Sequence, residues 1–233
     1  MIQKTIKTTN GKLQVKIPSQ LSELTLGQMI ALQEKKDLSD LEAISILSGI
    51  PVTTLQQIAN GDDLLEFADN IMALSRQISN LYNSDDIPKH ITLKIGEDSV
   101  KVNVIRNLSV EPAGAFMAAR DIIAEEIARH IDIYGQENWQ DYFNPSLTAC
   151  CDILAHYFYC RATSKAYDEY AIIDFTDTIK QLRVTEALPI AKHFFMRYPN
   201  LSKRKTPFWH RMSAFWKNGR VFKTLKNLNI STP

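Results

Sequence analysis

The sequence predicts a mainly α-helical protein with two small β-hairpins, an α+β fold. Three observations lead to this prediction. Apolar residues recur every three or four positions through most of the chain, helix-capping patterns precede several of these stretches, and two short stretches alternate polar and apolar residues around turn residues. The 233 residues are 45% hydrophobic and 23% charged, which is typical of a globular protein with a sizeable core.

The first hairpin is predicted over residues 2–17. Asn10-Gly11 lies near its middle, and this dipeptide readily adopts the positive φ angles of a tight turn. The residues that follow alternate between apolar and polar, with Leu13, Val15 and Ile17 on one side.

Capping patterns predict where the helices of the first half begin. Thr25 and Gln28 form a capping box, with Leu24 and Met29 placed as a hydrophobic staple, so the first helix begins there. Three further helical segments are predicted: LSDLEAISILSG, which stops at Gly49; TTLQQIAN, opened by a second capping box at Thr53 and Gln56; and a longer helix from about Asp62 to Leu81.

The second half repeats the order of hairpin and helix. ITLKIGEDSVKVNVI alternates around a Gly-Glu-Asp-Ser turn, and a long helix with Ser109 as N-cap is predicted to end near Gly135. After the loop QENWQDYFNP, the apolar stretch SLTACCDILAHYFYCRA predicts a helix that is buried on nearly all sides. Two more helices are predicted, a short one over FTDTIKQLRV and a last one over VTEALPIAKHFFMRYPN that is capped by Thr185.

This order indicates a two-fold internal repeat. Leu24-Thr25-Leu26 after the first hairpin is echoed by Leu108-Ser109-Val110 after the second. The prediction is a module of hairpin plus helices over residues 1–82 and a second such module, over residues 90–200, packed on the first. The alternative is that a hairpin followed by a capped helix is a common arrangement, and that the two halves are not a repeat.

Charge is divided unequally along the chain. The net charge is only +1, but the segment from Ala187 to Pro233 holds ten Lys/Arg and no acid, so residues 1–186 carry a net charge of −9. Such a division indicates a basic segment that meets something anionic. The anion can be a nucleic acid, an acidic protein surface or the acidic body of the same chain.

Residues 203–233, the C-terminal arm, combine eight of these ten basic residues with aromatic rings and are expected to be helical over 207–226. Three readings stay open: the arm docks on its own body or on a neighbouring subunit, it binds single-stranded nucleic acid, or it lies at a membrane surface. Docking to protein is favoured, because each buried ring contributes about 1.5–3 kcal/mol. The predicted partner-binding residues are Phe208, Trp209, Arg211, Met212, Phe215, Trp216, Lys217, Arg220, Phe222 and Lys223.

One cluster resembles a metal site. Asp152, His156 and Cys160 share a helical face, and zinc accepts all three ligand types. The paired ligands on separate loops that are typical of zinc sites are absent, however, and cysteine behaves as a small buried hydrophobe. Packing is therefore the predicted role of these residues, and no metal or other cofactor is expected.

Acid–base groups are also expected to be structural. Glu125 with Arg129 and Glu126 with His130 have the spacing of i,i+4 pairs on a solvated helix face. No phosphate-binding loop, nucleophile elbow or dinucleotide fingerprint occurs in the sequence, so an enzyme is not expected. The sequence contains no apolar stretch of 18 residues and no secretory signal, so no membrane partner is expected. Its three cysteines make no disulfide framework, which indicates a reducing cytosol.

Several stretches resemble a family of phage proteins. VKIPSQLSELTLGQMIALQE, ILSGIPVTTLQQI and LLEFADNI resemble the opening of tail-assembly or virion-morphogenesis proteins of tailed phages that infect Bacteroidetes, including crAss-like phages. ITLKIGEDSVKVNVI with its following helix resembles the second half of that layout, and LRVTEALPIAKHFFM resembles its closing helix. The resemblance covers about residues 13–200 and includes no catalytic residue.

The resemblance implies a non-enzymatic role in phage-particle assembly. It implies protein–protein contacts at the tail or neck, as a virion structural component or a tail-assembly chaperone, with other virion or assembly proteins and copies of itself in an oligomer or ring as partners. The expected location is the virion or the cytoplasm of the bacterial host. This chain departs from the family by its C-terminal arm, which favours a stable virion part. The alternative function is a virion cargo or genome-associated protein that contacts nucleic acid through the arm.

Overall fold

A computed structural model describes residues 1–9, 11–35, 38–60, 64–78 and 86–197. Within these ranges the chain forms eight α-helices and two separate two-stranded antiparallel sheets. The predicted fold class, mainly α with two small β-hairpins, is therefore confirmed. Along this part of the chain every helix is too short or too polar to span a membrane.

The first hairpin forms as predicted. Strands β1 (Ile2–Thr8) and β2 (Gly11–Ile17) pair antiparallel, and Thr8 faces Gly11 at the turn, where Gly11 has a φ of +136°. One face of the hairpin is buried, and its edge is extended by backbone hydrogen bonds at 57–59. The side chains buried on that face are Ile6, Val15 and Ile17.

Helix α1 (Leu26–Glu34) begins at the predicted capping box. The amide of Gln28 donates to Oγ1 of Thr25 at 3.2 Å, and the amide of Thr25 donates to Oε1 of Gln28 at 3.0 Å. Leu24 and Met29 are both buried, as a hydrophobic staple requires. These capping bonds join residues only three apart, so the chain itself encodes this start, and the amide of Leu26 additionally donates to the carbonyl of Leu182 at 2.8 Å.

The next helices follow the sequence pattern with one correction. Helix α2 (Asp40–Ser48) starts at a capping box of Ser39 and ends at Gly49, which has a φ of +73°. Helix α3 (Val52–Leu55) has Pro51 at its N-cap and no side-chain cap, so the capping box predicted at Thr53 and Gln56 is wrong. Thr53 already lies inside the first turn because the helix begins directly after the proline. Helix α4 covers Leu65–Ile78.

The second hairpin and the long helix come next. Strands β3 (His90–Ile95) and β4 (Asp98–Asn103) pair antiparallel around Gly96, as predicted. Helix α5 (Ala113–Asn138) has Pro112 as N-cap, and Ser109 lies in a short 3-10 helix before it, so the predicted N-cap is wrong. Since a proline keeps the preceding residue out of the helical region, the helix cannot begin before Pro112. Gly135 leaves helical geometry, as predicted, but the helix resumes for one turn.

Three helices complete the described chain: α6 (Leu147–Thr163), α7 (Glu169–Lys180) and α8 (Val184–Arg197). Helix α7 begins six residues earlier than predicted, because the Asp168 carboxylate accepts from the amides of Tyr170 and Ala171.

Thr185, the predicted cap of α8, lies inside that helix. Arg183 forms a bridge with Thr25, and the amide of Val184 donates to the Leu24 carbonyl, so α8 begins directly after this contact.

Helix α6 lies at the centre of the core. Its residues are buried on nearly all sides, as predicted, and it packs against α1, α5, α7, α8 and both strands of the second hairpin. One hydrophobic cluster includes residues from both halves of the chain. The order of hairpin, 3-10 helix and α-helix occurs in each half. The division into modules 1–82 and 90–200 stays a prediction.

The two predicted capping boxes provide a matched test of local stabilisation. Thr25→Ala should lower the free energy of unfolding by about 1 kcal/mol, because it removes an N-cap hydrogen bond. Thr53→Ala, at an exposed threonine without a cap bond, should change it by less than about 0.5 kcal/mol. Urea unfolding followed by circular dichroism measures both values. Equal effects of the two substitutions would contradict the assignment of caps.

Candidate functional site

The ten residues predicted to bind a partner all belong to the C-terminal arm. They lie outside the described residues, so their role stays a prediction. The other polar groups that the sequence singles out belong to the part of the chain that the structure describes. The arm residues concerned are Phe208, Trp209, Arg211, Met212, Phe215, Trp216, Lys217, Arg220, Phe222 and Lys223.

Asp152, His156 and Cys160 lie on the least buried face of α6, as their spacing predicts. Nδ1 of His156 and the hydroxyl of Tyr167 share a hydrogen bond of 3.1 Å, and the two rings stack with centroids 6.0 Å apart. In the part of the chain that the structure describes, no three His, Cys, Asp or Glu side chains converge as metal ligands do. The face is used for contacts between elements instead.

Burial keeps the His156–Tyr167 pair uncharged near neutral pH. Desolvation lowers the pKa of His156 below its ordinary value and raises the pKa of Tyr167 to about 12. The Tyr167 ring lies so close to Gly114 of α5 that a Cβ atom at this glycine would stand 2.6 Å from the ring. The pair therefore joins α5, α6 and the segment before α7 without introducing a charge into the interface.

The buried cysteines are poor nucleophiles. Cys150 and Cys151 are both buried in α6, and Sγ of Cys151 lies 3.7 Å from the carbonyl of Thr176. Burial, followed by the negative charge of Asp152, raises the pKa of Cys151 to about 12, and burial also raises the pKa of Cys150. Because the thiolate is the reactive form, both thiols are held in the unreactive state at neutral pH.

Glu126 and His130 are only 7% and 3% exposed, which corrects the expectation that they lie on a solvated helix face. Nη2 of Arg129 donates to Oε1 of Glu126 at 2.5 Å, so Arg129 pairs with this residue rather than with Glu125. The backbone amide of Ser146 donates to the same oxygen at 2.6 Å. A single buried carboxylate thus connects α5 to the N-cap of α6.

His130 holds the loop between α5 and α6 in place. Its Nδ1 lies 2.8 Å from the carbonyl oxygen of Glu126, which can only accept, so Nδ1 is the donor. Its Nε2 lies 3.0 Å from the carbonyl oxygen and 3.2 Å from the amide nitrogen of Asn144. The ring also contacts Phe143, with centroids 4.7 Å apart. The loop over 139–146 therefore folds back over the end of α5, and this reversal buries the two polar residues.

A largely buried ion pair joins the segment before α5 to the end of α6. Nε of Arg161 donates to Oε1 of Glu111 at 2.5 Å, and the guanidinium lies 5.1 Å from the centre of the Tyr157 ring. The hydroxyl of Tyr157 in turn accepts from the amide of Ile105 at 2.7 Å. The side chains of Glu111, Arg161 and Tyr157 are charged or polar, but each already contacts a partner within the described chain.

An open cleft of 490 Å³ lies between the start of α1, the end of α2 and the end of α7. Most of its polar side chains are already engaged: Thr25 and Gln28 form the capping box, and Nε2 of Gln28 donates to the carbonyl of Leu47 at 2.9 Å. Nζ of Lys180 contacts Asp177 at 2.9 Å. The cleft therefore offers no converging set of free polar groups of the kind that fixes a small ligand.

Two groups of exposed apolar side chains were not predicted from the sequence. At the end of α5, Ile133, Tyr134 and Tyr142 are exposed, and the two tyrosine rings stack with centroids 4.9 Å apart. On the outer side of α7, Tyr170 and Ile173 are exposed. The alternation of acids and aromatic residues in IDIYGQENWQDYF is the signal that could have indicated the first group.

Comparison of the chain with protein-family models, with curated proteins and with solved structures finds no match.

Glu125 and Glu126 allow the contacts of the buried carboxylate to be tested with a matched control. Glu126→Gln should lower the free energy of unfolding by about 2 kcal/mol, because charge-assisted hydrogen bonds to Arg129 and Ser146 are weakened in a buried position. Glu125→Gln, at the exposed neighbouring position, should change it by less than about 0.5 kcal/mol. Guanidinium unfolding of both variants measures the difference. A larger effect at Glu125 would contradict the pairing described above.

Proposed function

We propose that this protein is a non-enzymatic, phage-encoded morphogenesis protein that acts by protein–protein contacts at the tail or neck of the particle. It is either a structural component of the virion or a tail-assembly chaperone. Its partners are other virion or assembly proteins, with copies of itself as neighbours in an oligomer or ring. The virion and the cytoplasm of the bacterial host are its expected locations.

The composition of the C-terminal arm carries this proposal. The arm has eight Lys/Arg and no acid, and its five Phe and Trp rings lie between residues 208 and 222. Burying a large ring contributes about 1.5–3 kcal/mol, whereas an exposed ion pair contributes about 0–1 kcal/mol. A segment with both features binds a surface that is apolar and acidic, and a protein surface meets that description better than a nucleic acid does.

The chemistry of the described body supports a role in binding over one in catalysis. The buried carboxylates of Glu111 and Glu126 are each engaged in an ion pair, and burial holds the thiols of Cys150 and Cys151 protonated. The resemblance of residues 13–200 to virion-morphogenesis proteins supplies the biological setting.

A phage that carries this gene provides the test. The triple variant Trp209→Ala, Phe215→Ala, Trp216→Ala should reduce the copy number of the protein in purified particles by at least roughly tenfold, since each lost ring removes on the order of 1.5–3 kcal/mol of contact. If the protein is instead a transient chaperone, the same variant should give particles with missing or detached tails. Quantitative mass spectrometry and negative-stain electron microscopy measure these outcomes.

A charge variant of the same arm is the control. Arg211→Gln, Lys217→Gln, Arg220→Gln keeps the rings and should retain most of the association. Normal copy number and normal tails in the ring variant would contradict the proposal.

Contact with the genome is the second candidate function, and the ten basic residues of the terminal segment favour it. A protein that neutralises 6–10 phosphates loses roughly 10³–10⁵ in affinity between about 50 mM and 200 mM salt. Titration of single-stranded and duplex DNA with the full chain at these two salt concentrations measures this dependence. The protein-contact proposal expects weak binding. Tight binding that falls steeply with salt, and that is lost in a chain ending at residue 202, would favour the genome reading instead.

A further inference from the structure

The exposed surface at the end of α5 and in the loop after it combines stacked aromatic rings with acidic side chains. Ile133 and Tyr142 are each 60% exposed, and Tyr134 is 41% exposed. Three exposed acids belong to the same stretch of chain. We name this surface the acidic aromatic patch and define it by Asp132, Ile133, Tyr134, Glu137, Asp141 and Tyr142.

The patch is negative without compensation from its own stretch of chain. No lysine or arginine occurs from His130 to Cys160. None of the ion pairs among the described residues involves Asp132, Glu137 or Asp141. Arg129, one turn before the patch, is engaged by the buried carboxylate of Glu126. The patch therefore matches, in charge and in aromatic character, a segment that is both basic and aromatic.

Ring contacts place this patch beside helix α8. Tyr142 stacks on Tyr134, and Phe143, the residue after Tyr142, lies against Phe195 of α8 with ring centroids 5.8 Å apart. Helix α8 ends at Arg197, two residues beyond Phe195. The chain that continues past α8 thus starts next to the patch.

The distance that the arm has to cover is short. Five residues separate Arg197 from Lys203, and an extended chain spans roughly 3.3–3.6 Å per residue. The first aromatic residues of the arm can therefore reach the patch of the same molecule. A short tether also gives an effective concentration on the order of millimolar, which favours the arm of the same chain over that of a second copy.

We propose that the C-terminal arm, residues 203–233, docks on the acidic aromatic patch of its own chain. The arm's rings contact Tyr134 and Tyr142, and its lysines and arginines face Asp132, Glu137 and Asp141. This intramolecular contact covers the exposed rings of the free protein. It does not require the protein to be a virion component, so its failure and the failure of the proposed function are distinguishable.

Site-specific photo-cross-linking of the full chain tests the contact. Tyr142 is replaced by p-benzoylphenylalanine, and equal amounts of unlabelled and ¹⁵N-labelled chains are mixed before irradiation. Peptide mass spectrometry then distinguishes cross-links within one chain from those between chains. The expected result is a dominant set of cross-links within one chain that join position 142 to residues between 203 and 226.

Tyr170 is the matched control position. It is the more exposed tyrosine, at 84%, and acidic residues Glu169 and Asp174 flank it on α7. The same photo-reactive residue at position 170 should give several-fold fewer cross-links to the arm. Equal yields from positions 142 and 170 would overturn the proposal, because they would show that the arm contacts any exposed acidic surface.

Charge reversal tests the electrostatic part of the contact. Glu137→Lys with Asp141→Lys should lower the yield from position 142 several-fold, while Glu169→Lys with Asp174→Lys should leave it unchanged. Circular dichroism of each variant checks that the body is folded. The proposal would be overturned by any of three results. These are no cross-links to the arm in the chain without charge reversal, cross-links that join different chains, and a cross-link yield that does not change on reversal at positions 137 and 141.

Discussion

The burial of helix α6 is the constraint on which the rest of the structure depends. Its apolar residues point in nearly every direction, so the helix is stable only when other elements surround it. Helices α1, α5, α7 and α8 and the second hairpin supply that surrounding. Because α6 needs partners from both ends of the chain, the first 35 residues and the last described helix are drawn into the same core.

Buried polar groups determine how the surrounding elements are arranged on α6. Glu126 connects α5 to the N-cap of α6, and Glu111 connects the segment before α5 to Arg161 at the other end. A buried carboxylate that loses its partners is an uncompensated charge, so the contacts of Glu126 and Glu111 disfavour other arrangements of these elements. The same contacts occupy the carboxylates of Glu111 and Glu126, and burial raises the pKa of both buried thiols of α6.

The surface divides into an acidic body and a basic terminal segment. Residues up to 186 carry the whole acidic content of the chain, and the segment after them carries none. The body exposes stacked aromatic rings among acids close to the point where the last described helix ends. In the proposed function the arm meets other virion proteins. In the proposed intramolecular contact the arm meets the acidic aromatic patch of its own body.

The sequence by itself determined the local structure of this protein: the Asn-Gly hairpin, the capping box of Thr25 and the end of α2 at Gly49. Each depends on a turn conformation or on hydrogen bonds between residues at most four apart. Tertiary structure alone decided that Glu126 and His130 are buried, that α8 begins before Thr185, and that Tyr134 stacks on Tyr142. These outcomes depend on a loop folding back over α5 and on a bridge between Thr25 and Arg183, whereas Pro51 and Pro112, which are local signals, set the starts of α3 and α5. Residues distant along the chain determine whether a polar side chain is buried and what it contacts. An apolar or charged pattern in the sequence does not show which distant residues it will contact.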